Sequence, residues 1–395
     1  MNASEIRELL KLLDQPGIIS FAGGIPDPAL FPTQVIGDAY ASILADPARA
    51  AQALQYSVSE GYLPLRRWIV EHMASLGVPC DEHNIMITAG SQQGLDFIGK
   101  LFLSPHDTAL VAAPTYLGAL QAFNAYEPRY DTLMLEGGNR TPQSYAELAK
   151  VRGGRVGLAY LVADFANPSG ETVSLEAREA LLDLAEALNI VVVEDAAYQA
   201  LRYDGENVPP VLALDIARSG GIEHSRTLYC GTFSKTLAPA LRVGWICGAS
   251  EVIAKLVLAK QAADLHCATI NQAVMHQVAE ASYDAQVTRN RGAYKERRDA
   301  MLGALARHMP EGVTWTKPEG GMFVWVTLPE AIDGAKLLAR SIEECQVAFV
   351  PGGAFYGEGR RDNKLRLSYS LSTPEQIDTG IGRLGGLVGD MVAGR

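Results

Sequence analysis

Lys235 closes an apolar run, sits beside the hydroxyls of Thr232 and Ser234, and is followed seven residues on by Arg242. A lysine held at the end of such a run is positioned and partly deprotonated, as an amine must be to condense with an aldehyde. Two hydroxyls and a guanidinium are the donors that a phosphate group requires. A phosphorylated aldehyde cofactor would use both halves of this segment.

Other residues carry compatible chemistry at the ends of other apolar runs. Asp195 follows Ile190-Val191-Val192-Val193-Glu194, and a carboxylate beyond the end of a parallel strand falls where α/β proteins bind ligands. It could keep a cationic ring nitrogen protonated, or it could simply cap a helix or shape a turn. Tyr198, in the same loop, could bind a phenolic oxygen of the cofactor or be a core tyrosine. Asn167 lies in Asn167-Pro168-Ser169-Gly170, which turn chemistry alone would also explain. Ser91 and Gln92 open a helix after Gly90, where main-chain amides and a hydroxyl would seat a phosphate; N-capping by Ser91 is the plainer reading. Tyr116 could stack on a planar ring. Arg366, in the apolar strand Leu365-Arg366-Leu367-Ser368, would be costly uncompensated. It predicts either a clamp on a substrate carboxylate or an internal salt bridge.

The elements that must hold these groups are legible from periodicity. Near-continuous apolar runs at 84–88, 108–112, 158–163, 190–194, 227–231 and 243–247 predict strands covered on both faces. Helical patterns separate them, the clearest over 174–188 with Ser174 as N-cap. Strands alternating with helices predict a mostly parallel sheet with helices on both sides. Beyond about residue 285 the pattern changes. A helix over 294–308, strands over 314–316 and 321–327, a helix over 334–345, and runs at 347–350 and 364–370 predict a smaller α+β domain. The Gly/Pro-rich stretch 21–28 reads as a loop.

Composition sets the class. The 395 residues are 48% hydrophobic and 20% charged, as in an ordinary globular protein. A net charge of −11 argues against a nucleic-acid partner. The five cysteines form no pairing framework and the seven histidines no metal-binding spacing, so reduced thiols, a cytoplasmic setting and no metal are expected. The amphipathic pattern over 1–13 is interrupted by charges and is not read as a signal peptide; no run is long enough for a membrane span.

Taken in order, these motifs resemble the fold-type I aminotransferases that use pyridoxal 5′-phosphate, and most closely their 2-aminoadipate and kynurenine branch. The resemblance runs from Ile19-Ser20-Phe21-Ala22-Gly23-Gly24 to Leu365-Arg366-Leu367-Ser368 and includes Leu54-Gln55-Tyr56-Ser57 and Pro318-Glu319-Gly320-Gly321-Met322-Phe323. It implies a mostly parallel seven-stranded sheet in a large domain (41–285) and a discontinuous small α+β domain (1–40 with 286–395). By the same resemblance Lys235 holds the cofactor covalently and Asp195 partners its ring nitrogen. Tyr198 and Asn167 would bind the ring oxygen, Tyr116 would stack on the ring, and Ser91, Gln92, Thr232, Ser234 and Arg242 would surround the phosphate. Tyr56 would reach the cofactor of a second subunit in a homodimer with shared sites. Arg366, aided by Asn167, would hold the substrate α-carboxylate, with Gly23 and Gly24 lining the pocket. The implied reaction moves an amino group from an L-amino acid (aromatic, aliphatic or 2-aminoadipate-like) to a 2-oxo acid such as 2-oxoglutarate or pyruvate. A lyase or decarboxylase would use the same residues, and a regulatory module carries the same domain behind a DNA-binding extension. One departure is visible: Ala163 stands in Val162-Ala163-Asp164-Phe165-Ala166-Asn167-Pro168 where the family usually has proline.

Overall fold

The apolar runs of the first two thirds of the chain assemble into one sheet, described in a computed structural model that covers residues 17–357, 359 and 361–394. The amphipathic pattern over 1–13 lies outside the described residues. After a short β1 (Ile19–Ser20), the sheet takes β2 (Ile85–Thr88), β3 (Thr108–Val111), β4 (Arg129–Thr132), β5 (Val156–Leu161), β6 (Val191–Asp195), β7 (Thr227–Thr232) and β8 (Gly244–Cys247). Their order across the sheet is β2-β8-β7-β6-β5-β3-β4. All neighbours run parallel except β8, which is antiparallel to both β2 and β7. Continuous burial of β2, β3, β5 and β7 explains why their sequences do not alternate. β4 was not among the runs expected to be strands: Arg-Tyr-Asp-Thr at a sheet edge buries only its centre and lacks the apolar signal.

Helices cover both faces. The helix expected over 174–188 spans Leu175–Leu188, and the Ser174 hydroxyl accepts from the Ala177 amide at 3.2 Å. The helix expected over 294–308 is the last third of a 40-residue helix, Thr269–His308. At 1.5 Å per residue it is about 60 Å long, and it crosses the expected domain boundary at 285. It packs against both helix Thr33–Ala45 and the C-terminal helix Pro374–Val392.

A second sheet is antiparallel and ordered β12 (Val350–Pro351), β13 (Lys364–Ser368), β10 (Phe323–Thr327) and β9 (Thr314–Trp315). β11 (Val347–Ala348) pairs in parallel with β1. The helix expected over 334–345 is α-helical only to Arg340 and continues as one wider turn to Cys345. The pairing of β1 with β11 brings loop 21–28 against this second sheet: the Ser368 amide donates to Phe21 O at 2.8 Å. No helix among the described residues is long and apolar enough to cross a membrane.

Candidate active site

Three parallel strands, β5, β6 and β7, lie side by side; β6 ends in Asp195, and the loops after the three strands carry Asn167, Tyr198 and Lys235. Asp195 is the last residue of β6, so the alternation of a strand decides its direction. Glu194, one residue earlier, faces away. Its carboxylate accepts the amides of Val211 and Leu212 at 2.8 and 3.0 Å and caps the helix Val211–Ser219. Asp195 is buried, and its Oδ2 accepts from the Tyr160 hydroxyl at 3.0 Å. Its Oδ1 is buried and has no hydrogen-bond partner. Burial lifts the carboxyl to about 6, against the pull of the Tyr160 hydrogen bond, of the Ala197 amide and of Lys235. A buried acceptor left open in this way calls for a donor that the chain does not supply.

Lys235 Nζ donates to the Gly24 carbonyl at 3.1 Å and lies 5.7 Å from the centre of the Tyr198 ring. Desolvation and the nearby Arg366 charge lower its amine to about 8; Asp195 opposes the shift and Arg242 adds to it. The amine is therefore available as a base or nucleophile near neutral pH. Burial raises the phenols of Tyr116, to about 12, and of Tyr198, so both remain neutral donors.

Arg366 is 3% exposed. Nη1 donates to Asn167 Oδ1 at 2.8 Å and Nη2 to the Ala22 carbonyl at 2.7 Å, while Nε has no partner. The guanidinium lies 4.4 Å from the Phe323 ring centre and 5.2 Å from that of Phe355. Among the described residues no carboxylate pairs with it, so the internal salt bridge is not formed. Two aromatic faces compensate part of the buried charge, and burial still lowers its pKa to about 10. Gly24 allows this closeness: a Cβ there would stand 2.8 Å from the Phe323 ring. Gly23 is buried beside it.

A second cluster forms where β7 meets the helix Ser91–Phe102. Ser91 is the first helical residue rather than the N-cap; Gly90 takes that place at φ 81 and offers no side-chain cap. The Ser91 and Gln92 amides thus have no intrahelical acceptor, while the Gln93 amide donates back to Gly90 O at 3.2 Å. A Cβ on Gly244 would lie 2.8 Å from Gly231 O and 2.9 Å from Ser91 N, so the strand end and the helix start are in contact. Thr232 Oγ1 donates to Ser234 Oγ at 2.9 Å, and Arg242 Nη2 donates to Ala89 O at 3.0 Å. Ser91, Thr232, Ser234 and Arg242 therefore surround one helix start, a concave donor set suited to a phosphate. The Gln92 side chain is committed elsewhere, donating to Gly118 O at 2.7 Å and accepting from Tyr116 at 3.4 Å; it leaves only its main-chain amide to this cluster.

Tyr56 is not brought into this chain's site. It is 78% exposed, and its ring meets His266 edge-on at 5.8 Å. Sequence reasoning missed Tyr160, Phe323 and Phe355. The first had a signal, since a phenol inside a fully apolar strand needs a buried acceptor. The phenylalanines had none, because a ring under a guanidinium reads in sequence as ordinary core.

The residues present fit pyridoxal 5′-phosphate on the unpartnered Asp195 oxygen, the desolvated lysine and the phosphate-shaped donor cluster. The sequence profile of the class I and II aminotransferases matches residues 34–384. An aromatic-amino-acid aminotransferase of Thermococcus litoralis is 45% identical over 97% of this chain and 91% of its own length. A 2-aminoadipate transaminase of Thermus thermophilus is 42% identical over 98% of this chain and 94% of its own. The crystal structure of Pyrococcus horikoshii kynurenine aminotransferase in complex with PMP superposes with a TM-score of 0.90 at 43% identity, covering 99% of this chain and 96% of that one. With fold, motifs and relatives in agreement along almost its whole length, this chain belongs to the class I and II aminotransferases and is a transaminase of fold type I.

Proposed function

We propose that the protein is a pyridoxal 5′-phosphate-dependent aminotransferase acting on aromatic and 2-aminoadipate-like amino acids, with 2-oxoglutarate or pyruvate as acceptor. The observation that carries the cofactor is Asp195 Oδ1, buried without a donor at the end of β6, where the Lys235 charge acts on it. The relatives named for aromatic amino acids and 2-aminoadipate support the substrate class.

In this reading Ser91, Thr232, Ser234, Arg242 and the Gln92 amide hold the phosphate. Asp195 accepts from the ring nitrogen, and Tyr198 and Asn167 bind the ring oxygen beside Tyr116. When bound, the cofactor supplies an electron sink for the charge left when the substrate α-carbon loses its proton. Arg366 orients the donor by its α-carboxylate, with Asn167 alongside. Lys235 Nζ would take up the substrate's α-proton and release it again, a task suited to an amine titrating near neutrality. Tyr56, exposed here, completes the phosphate site of a second copy. The two sheets form a large domain over 41–285 and a small one from the remainder, with the substrate between them.

The test is product analysis. Single amino acids incubated with the loaded protein should yield the matching 2-oxo acid only in stoichiometric amount, and catalytically once 2-oxoglutarate or pyruvate is added. Release of carbon dioxide or of a side-chain fragment without an acceptor would sink the transaminase assignment.

A further inference from the structure

We infer that Tyr160 is a positioning residue for the cofactor's ring nitrogen: its hydroxyl occupies one oxygen of Asp195 and so dedicates the other to the ring. This rests on the cofactor reading above and concerns a residue that no motif of that reading contains.

The geometry is specific. Tyr160 lies in the middle of the sheet on β5, one strand from Asp195, and is fully buried. Its ring is fixed edge-on against Phe123, with centres 5.7 Å apart. The hydroxyl donates to Asp195 Oδ2 at 3.0 Å, while Oδ1 of the same carboxylate is left open. The charged or titratable groups that act on Asp195 or are acted on by it are Lys235, Tyr116, Tyr198 and Cys230. Burial raises the last three, so they stay neutral; Lys235 is the one cation of the set.

Without the phenol only the Ala197 amide would hold this carboxylate, which could then turn either oxygen to the ring or take up a proton. Protonated, it would present a donor to a ring nitrogen that must itself donate. The Tyr160 phenol removes both alternatives. It orients the group, and a hydrogen bond to the charged form favours that form. Burial raises the phenol itself well above its ordinary range, so it donates to the carboxylate without competing for its charge.

The test compares wild-type apo-protein with Tyr160→Phe by titration with pyridoxal 5′-phosphate between about pH 6 and about pH 9. The expected weakening near neutral pH is about ten- to a hundredfold, the range for a lost hydrogen bond to a charged group. It should shrink as pH rises, because the variant's carboxylate, now harder to ionise, becomes charged only at higher pH. A cofactor analogue with carbon in place of the ring nitrogen should bind both proteins equally. Phe123→Leu, which disturbs the packing but keeps the hydroxyl, should give a ratio to wild type that does not vary with pH. An equal loss for the two cofactors, or a pH-independent loss in Tyr160→Phe, would reduce Tyr160 to a core residue. Failure of the wild-type protein to bind pyridoxal 5′-phosphate would overturn the cofactor reading and this assignment together, a result visible before any variant is made.

Discussion

Arg366 Nη1 donates to Asn167 Oδ1 at 2.8 Å, and so a residue of the second sheet is tied to the loop after β5 at the centre of the site. The guanidinium keeps its Nε free and has no acid partner among the described residues. Arg366→Lys keeps the charge but loses the planar fork. It should raise KM for amino donors and lower kcat/KM about a hundredfold or more, the scale of a lost bidentate contact to a charged group. Under the proposed assignment of Arg366 to the substrate carboxylate, cofactor retention should be unchanged. Steady-state kinetics with an absorbance check of bound cofactor separate the two effects; loss of the cofactor would place Arg366 in the wrong role.

Lys235 sets the pH dependence of cofactor loading. Its folded pKa is lowered to about 8 from an ordinary lysine value, so the reactive neutral amine is scarce below pH 8 and dominant above it. The initial rate at which apo-protein captures pyridoxal 5′-phosphate should rise about tenfold per pH unit below that point and level off beyond it. Arg366→Gln removes the largest nearby positive charge and should shift this midpoint upward. Lys235→Ala should bind the cofactor reversibly and fail to turn over. A capture rate still climbing steeply above about pH 9 would mean an unperturbed lysine.

How much of this was legible in the chain depends on what each signal measured. The strand runs at 108–112, 158–163 and 227–231 were legible because a doubly covered strand is apolar at nearly every position. β4 was hidden because an edge strand need not be. Helix Thr269–His308 was cut short at its N-terminal end: its polar composition over 281–297 hides a continuous periodicity, and the buried positions that define its face belong to different partners along its length. At the site, residues at strand ends, namely Asp195, Lys235 and Asn167, were found because position and side-chain type coincide there. Tyr160 was not, because it lies inside a strand, where sequence offers no view of the adjoining strand's register. Gln92 was given a phosphate role by position, and the structure turns its side chain to Gly118 because helix direction carries no rotamer information.

Gly90 joins the phosphate cluster through its missing side chain. At φ 81 an added Cβ would also stand 2.4 Å from Arg242 Nη2. Gly90→Ala should destabilise the fold by roughly 1 kcal/mol or more from the left-handed backbone alone, and it should push Arg242 from its place. Affinity for pyridoxal 5′-phosphate should fall, while affinity for pyridoxal without its phosphate should change little. Equal losses for both compounds, measured by titration of the apo-protein, would detach this cluster from phosphate binding.

The proposed sharing of Tyr56 with a second copy can be tested directly. The Tyr56 side chain is 78% exposed and meets only the His266 ring edge-on among the described residues, and Leu54 and Val58 beside it are 69% and 58% exposed. If a second copy covers this segment and borrows Tyr56, then Tyr56→Phe and Lys235→Ala are deficient in different subunits' sites. Mixing and refolding the two inactive or weakened proteins should restore activity, because one site of each hybrid has both residues intact. A mixture no more active than its components would place Tyr56 outside any shared site.

Asp164 shows what stands in for the proline expected one residue earlier. It is 4% exposed and accepts from Arg178 at 2.9 Å and Arg202 at 3.2 Å. Arg178, fully buried, also donates to the carbonyls of Ala163, Val173 and Pro209. Arg202 reaches across to Glu319, beside the turn that precedes β10. The loop bearing Asn167 is therefore stiffened by charge and hydrogen bonds. Asp164→Asn leaves a fully buried guanidinium without its counter-charge and should lower stability by about 3–5 kcal/mol. Glu319→Gln removes a half-exposed partner and should lower it by less than about 1 kcal/mol. Urea denaturation of the two variants at neutral pH reads the difference directly. In Asp164→Asn the surviving folded protein should show a raised KM, since Asn167 would no longer be held against Arg366; an unchanged KM would mean that Asp164 stabilises the fold without shaping the site.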